Sequence, residues 1–458
     1  MDILDIKSID ISSILYKSIN IDTPFMKQLR IIFADDTASG RPSKYIDNKI
    51  QEEILPYYSN THSNAYCGIL MKNKIIETRN IIKKFFNLTE EHKIIFTGNG
   101  ATGAINHLAN SLNYEHYTQV NIFLSMYEHY SNHLPWCEMA KKEKNIKIFF
   151  IPMINDDIDL NYLDLNLSAN ISTNILNIIT VTACSNVTGI ITEFDKIINI
   201  TKKYDNIYLF GDCACLAPYK VIDCSKIDAI FVSTHKFIGG TGTPGILIAK
   251  NKLFEKECPF IPGGGCVKKA NSKEVIYDQD IEVKETAGTP NIIGIIKIGY
   301  IFELRNKFID IINYNEHSIV NYVHHKLENI KQQHSNLSII FMSKFLNRRL
   351  PIIAFSIKNL HYNFIVVLLN DLFGIQTRGG ISCCGLFDEY LNSSCDDNNH
   401  GWCRITFNWM MDKQTIDYIL RAILYILKYG YKYNICYDYD KQKNLFNYNG
   451  KKRYDIKL

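Results

Sequence analysis

Between residues 92 and 236 short β-branched runs alternate with helix-forming stretches, and nearly every run ends in a polar cluster. "HKIIFTGNG" is followed by "ATGAINHLANSL", and then come "QVNIFLS", "NILNIITVTA", "NIYLFGDCA" and "DAIFVSTHK". The runs are continuously apolar rather than alternating, the pattern of strands buried on both faces, so the arrangement expected is a mainly parallel sheet between two layers of helices. Ligands of such α/β sheets sit beyond the carboxyl ends of the strands, and that is where the polar clusters fall.

Near residue 290 the style changes. "AGTPNIIGIIKIGYIFELRNKF" reads as a long helix, followed by the runs "SIIFM" and "RLPIIAFSI", the helix "NFIVVLLNDLFG" and a last helix near 413–428. The expected division is an N-terminal segment (1–30), a large domain (31–290), a smaller α+β domain (291–430) and a tail (431–458), and 458 residues suffice for two cores.

Composition excludes several classes. A net charge of +4 on this length predicts no nucleic-acid partner. The longest apolar stretch, "NIIGIIKIGYIFEL", is interrupted by Lys297 and falls short of the ~20 residues that span a bilayer, so no membrane association is expected. The start "MDILDIKSIDISS" lacks the basic and apolar regions of a signal peptide, and 13 cysteines show no repeated spacing; both predict free thiols in a reducing, cytoplasmic setting.

Three strand ends carry the chemistry. "GNGATG", Gly98 to Gly103, matches a dinucleotide fingerprint, but no acidic residue closes a second strand where that reading requires one. What the loop supports is a phosphate at a helix N-terminus. Asp212 ends "IYLFGD", and Lys236 follows the next run in "STHKFIGG". A buried carboxylate needs a cationic partner, and a buried lysine tends to lose its proton. Pyridoxal phosphate joins the three: its aldehyde condenses with the lysine, its ring nitrogen stays protonated against the aspartate, and its phosphate takes the glycine loop. The competing reading of Lys236 is a solvated surface cation.

The motifs "GNGATGAINHL", "YEHYSNHLPW", "ACSNVTGI", "GDCACLAPY", "VSTHKFIGGTGTPGIL", "PGGGC", "AGTPN" and "RGGISCCG" resemble those of the class V aminotransferases of PLP fold type I. The similarity is greatest to the branch of group II cysteine desulfurases and selenocysteine lyases and runs from about residue 30 to 425. It implies a seven-stranded sheet in the large domain, Lys236 as the Schiff-base lysine and Asp212 as the pyridinium partner. It further implies His129 stacked on the ring, Asn186 on the ring hydroxyl, and Ala101, Thr102, Ser233 and His235 around the phosphate. Thr289 would reach the phosphate of a neighbouring subunit, which implies a homodimer. Cys215 stands where the desulfurases usually carry a glutamine that bonds the ring hydroxyl.

Within that resemblance Cys383 occupies the position of the persulfide-forming cysteine, Arg404 that of the carboxylate-binding arginine, and Arg378 and His62 are second contacts. The implied reaction takes sulfur from L-cysteine to Cys383 and releases alanine, with a sulfur-acceptor protein as a further partner. "RGGISCCG" departs from the pattern in which two histidines precede the cysteine. An aminotransferase acting on a keto acid, and a PLP-binding relic without turnover, are the alternatives. No metal is expected: His129 and His133 lack an acidic base between them, and Cys383, Cys384, Cys395, His400 and Cys403 follow no zinc spacing.

Overall fold

A computed structural model of the chain describes residues 4, 6–7, 10–392 and 400–451. The large sheet has seven strands: β1 (His92–Thr97), β2 (Gln119–Ser125), β3 (Ile146–Ile151), β4 (Ile175–Thr182), β5 (Ile207–Asp212), β6 (Ala229–Val232) and β7 (Gly245–Lys250). Their order is β1-β7-β6-β5-β4-β2-β3, with every pairing parallel except those of β7, which is antiparallel to both its neighbours. This is the mainly parallel α/β sheet the run pattern predicts.

Helices cover both faces because side chains alternate across each strand. In β6, Ile230 and Val232 pack into one apolar cluster while Ala229 and Phe231 pack into another on the opposite face. Phe231 is wholly buried, and taking such a ring out of water is worth ~1.5–3 kcal/mol. Two helices bear on the site: α1 (Gly100–Ser111), which follows β1, and α2 (Tyr130–Lys142), which follows β2.

The long helix expected after residue 290 is α3 (Ile292–Lys307), capped by Asn291, whose Oδ1 accepts from the Gly294 amide at 2.9 Å. Its apolar face, Ile292, Ile296, Ile298, Ile301 and Phe302, packs with the large sheet. Lys297, which interrupts the apolar run, is buried and paired with Asp47 Oδ1 at 2.7 Å. A further helix, α4 (Ile309–Gln333), begins directly after it; the sequence pattern does not separate the two, because the break at Phe308 carries no glycine or proline.

A second sheet has β8 (Leu337–Ile339), β9 (Ile352–Ile357), β10 (Arg378–Gly380) and β11 (Trp402–Thr406) in the antiparallel order β8-β9-β11-β10. It is backed by α5 (Tyr362–Phe373) and by α7 (Lys413–Tyr429), while α6 (Gly385–Asn392) follows the loop after β10. Leu4 of the N-terminal segment and residues 32–34, expected at the start of the large domain, join this unit: Leu4 and Ala34 lie in its core, and Ile32–Phe33 pairs in parallel with Ile375–Gln376. Residues 431–448, expected as tail, instead continue into a 3-10 turn and a hairpin, Tyr437–Asp440 with Leu445–Tyr448. Tyr437 anchors it, buried and donating to Asp371 Oδ2 at 2.6 Å, because aromatic residues alternate along both strands. The end of the expected tail, residues 452–458, lies outside the described residues. Among the described residues no helix is long and apolar enough to cross a membrane.

Candidate active site

The carboxyl ends of β2, β4, β5 and β6 open into a cleft of about 180 Å³, lined among others by Ala101, Thr102, His129, Asn186, Asp212, Cys215, Ser233, His235, Lys236, Arg378 and Arg404. All of these were expected from the sequence. His62, Thr289 and Cys383 do not line it.

One end of the cleft is the start of α1. Gly100 has φ +57°, and a Cβ there would lie 2.8 Å from His235 Cε1 and 2.9 Å from Ser233 Oγ, so only glycine lets the loop after β6 close on this helix. Asn99 makes no side-chain cap. The Ala101 amide donates to Ser233 Oγ at 2.9 Å, and Thr102 Oγ1 lies 2.6 Å from Ser131 Oγ. An uncapped helix start ringed by hydroxyls suits an anion such as a phosphate.

Asp212 closes β5 and is 3% exposed. Burial raises its pKa, opposed by the Ala214 amide, which donates to Oδ1 at 2.9 Å, and by the Lys236 charge. A carboxylate so placed gains most from a cation inside the cleft, which is what a protonated ring nitrogen supplies. Lys236 ends the turn after the neighbouring strand β6, and among the described residues its Nζ has no hydrogen-bond or ion-pair partner. The residues present therefore fit pyridoxal phosphate.

His129 caps α2, its Nδ1 accepting from the Ser131 amide at 3.1 Å. Burial, with the charges of Lys236, Arg404 and Arg378, brings its pKa down from 6.5 to about 4, so the imidazole is neutral near pH 7 and able to lie flat against an aromatic ring. The motif around it is a scaffold. Buried Glu128 accepts from Ser125 Oγ, from Asn132 Nδ2 at 2.7 Å and from the Thr182 amide at 2.9 Å, while Asn132 Oδ1 accepts from Trp136 Nε1 at 3.1 Å and Thr180 Oγ1 at 2.7 Å. A pH effect follows. As the pH falls, the unfolded chain protonates this imidazole first, so its stabilising contribution is present above 6.5 and is lost toward about 4. The unfolding free energy of the wild type, from urea titrations, should fall across that window more than that of His129→Phe, by up to ~1.4 kcal/mol per pH unit.

The other end of the cleft holds the arginines. Arg404, 2% exposed, donates from Nη1 to the Asn186 carbonyl at 3.0 Å and from Nη2 to Asp35 Oδ1 at 2.9 Å. Arg378 Nε donates to Asp35 Oδ2, also at 2.9 Å. The Asn186 amide, expected to reach a ring hydroxyl, donates to the Ser382 carbonyl at 3.0 Å, and its Oδ1 accepts from Cys384 Sγ at 2.9 Å. Cys215 lies beside Cys184, whose hydrogen bond pulls its pKa down; Lys236 and Arg404 add to this against burial.

Cys383 is exposed on the loop between β10 and α6, with φ 57° and its carbonyl accepting from the Tyr130 amide at 2.8 Å. Its neighbours take other positions: Ser382 lines the cleft, and Cys384 is buried, with burial pushing its thiol pKa up. His62 and Thr289 are exposed together elsewhere, both held by Asn60, which donates to Thr289 Oγ1 at 2.9 Å and accepts from the His62 amide at 2.9 Å. Among the described residues no cluster of His, Cys, Asp and Glu is arranged to hold a metal ion, and Cys395 lies outside them. Sequence reasoning missed Asp35, Ser131, Cys184 and Ser382; "FADDTASG", acidic residues after a short apolar run, was the one available signal, for Asp35.

An amine, a buried carboxylate and an anion cradle meeting beyond the carboxyl ends of neighbouring strands fit an α/β enzyme that uses a phosphorylated, aldehyde-bearing aromatic cofactor. The aminotransferase class-V family model matches residues 32–419, and the chain belongs to that family of pyridoxal-phosphate-dependent enzymes. It is 30% identical over 432 residues to a cysteine desulfurase of Wigglesworthia glossinidia brevipalpis, a match covering 91% of this chain and 99% of that protein. In fold it is similar to the apo structure of a cysteine desulfurase from Thermococcus onnurineus, with TM-score 0.76 at 22% identity over 89% of this chain and 96% of that one. A cysteine desulfurase from Escherichia coli in its S-sulfonic acid form is similar at TM-score 0.72 and 21% identity, over 86% and 94% of the two chains.

Proposed function

We propose that this chain binds pyridoxal phosphate through Lys236 and acts as a cysteine desulfurase, moving sulfur from L-cysteine to Cys383 and releasing L-alanine. The observation that carries the reading is the single cleft in which Lys236, Asp212, the start of α1 and the arginine pair converge. Asp212 would hold the ring nitrogen protonated, His129 would cover the ring, and Ala101, Thr102, Ser233 and His235 would hold the phosphate. Bound there, the cofactor supplies a sink for the electrons left when the α-proton departs.

The chain's own residues do the rest. Arg404, assisted by Arg378, binds the substrate α-carboxylate, a task suited to a guanidinium fork. Lys236 Nζ takes the α-proton and returns one in forming alanine. The Cys383 thiolate attacks the substrate sulfur: an S–S bond forms, the substrate C–S bond breaks, and the products are alanine and a persulfide on Cys383. That sulfur would pass to an acceptor protein. Thr289 and His62, exposed side by side, suit a contribution to the site of a second copy in a homodimer; free thiols at every described cysteine suit the cytoplasm.

The reading is tested with Cys383→Ser. That variant should retain cofactor and bind L-cysteine, yet lose persulfide and alanine formation by orders of magnitude, because a serine hydroxyl does not accept sulfur. A variant that still makes both products removes Cys383 from the reaction. One observation favours the aminotransferase alternative: Cys383 is exposed rather than cleft-lining, and Ser382 faces the cleft in its place. An aminotransferase would convert an amino donor to its keto acid regardless of this cysteine.

A further inference from the structure

The carboxylate end of the cleft holds a charge arrangement that the motifs do not account for. Arg378 and Arg404 are direct cross-strand partners in the β10–β11 pairing. Like charges placed opposite each other repel, and here one of the pair is almost fully buried. Asp35 resolves the conflict by accepting from both, one oxygen to each guanidinium at 2.9 Å. It is not itself a lining residue, whereas both arginines are.

Asp35 is held in place by backbone contacts on either side of the arginines. Ile32–Phe33 pairs with Ile375–Gln376, the Ala34 amide donates to the Gln376 carbonyl at 3.0 Å, and the Thr406 amide donates to the Ala34 carbonyl at 2.8 Å. These contacts fix the main chain that carries Asp35 beside the two arginines. Arg404 Nε is buried and has no hydrogen-bond partner among the described residues.

We propose that Asp35 is a specificity-determining residue: by cancelling one of the two arginine charges it leaves a net single positive charge, matched to an amino acid bearing one carboxylate and unfavourable to one bearing a second acid group. The assignment rests on the reading that Arg404 and Arg378 receive the substrate carboxylate. With Asp35 neutralised, the same end would carry two positive charges and favour a dicarboxylic amino acid.

Calorimetry on the holoenzyme with L-alanine and L-aspartate tests this. Asp35→Asn, which keeps the shape of the side chain, should shift the ratio of the two dissociation constants toward aspartate by about tenfold. Asp35→Asn combined with Arg378→Gln restores a single net charge and should return the ratio to that of the wild type, a rescue that a merely structural role would not produce. Arg378→Gln alone should move the ratio the other way, which keeps the test decisive if Asp35→Asn does not fold. An unchanged ratio, or equal weakening of both ligands, overturns the assignment. A wild-type holoenzyme that binds neither ligand would contradict the carboxylate-binding reading and this assignment with it, whereas normal alanine binding with an unshifted ratio would sink only the role of Asp35.

Discussion

Lys236→Ala should yield a protein that folds, as judged by its melting transition, but carries no pyridoxal phosphate after borohydride reduction and denaturation, whereas the wild type keeps it covalently. Turnover of L-cysteine should fall on the order of 10⁴-fold, since in the proposed reaction the same amine would anchor the cofactor and move the α-proton. The fold should survive because Nζ has no hydrogen-bond or ion-pair partner among the described residues, and Lys236 sits in a short turn after β6 rather than in the sheet. Covalent cofactor retained in this variant would place the attachment on another amine.

Asp212→Ala should have the second-largest effect. Removing one member of a buried charge pair costs ~3–5 kcal/mol, about 10²–10³-fold or more in affinity, so the cofactor should be lost on dilution or dialysis. What does remain bound should turn over poorly, because a ring nitrogen without its carboxylate partner does not stay protonated and cannot draw electrons from the substrate. The unliganded variant should not be destabilised in proportion: a buried carboxylate whose pKa is raised by burial is a cost to the empty protein, and alanine removes it. Tight cofactor binding and near-normal turnover in Asp212→Ala would mean that some other group faces the ring nitrogen.

The cleft positions of these two residues were legible in the sequence because Asp212 ends one strand and Lys236 lies in the turn just after the next, and the carboxyl ends of neighbouring parallel strands open on the same side of the sheet. The same holds for Ala101 and Thr102, placed by a glycine loop between a strand and a helix, and for His129, whose neighbours Glu128, Asn132 and Trp136 are hydrogen-bonded to one another around the start of α2. Legibility failed where partners come from far apart. Asp35 and Arg404 are separated by 369 positions, and no local pattern links them. The helix break at Phe308 was hidden for a different reason: two helices that meet without glycine or proline look like one in a hydrophobic pattern.

The sequence by itself determined the sheet and the order of chemistry along its edge. Continuous β-branched runs can be buried only between helical layers, and residues at their ends then share one side of the sheet whatever the loops do. Only the tertiary structure decided the carboxylate end. There β10 and β11 set two arginines opposite each other, and the two-residue strand Ile32–Phe33, paired beside them, brings in the carboxylate that bridges them. It also decided which thiol of "SCCG" is exposed and which is buried, because the left-handed backbone at Ser382 and Cys383 turns the loop and leaves Cys384 against Asn186. Charge pairing and loop direction are long-range outcomes of packing, and hydrophobic periodicity carries no information about either.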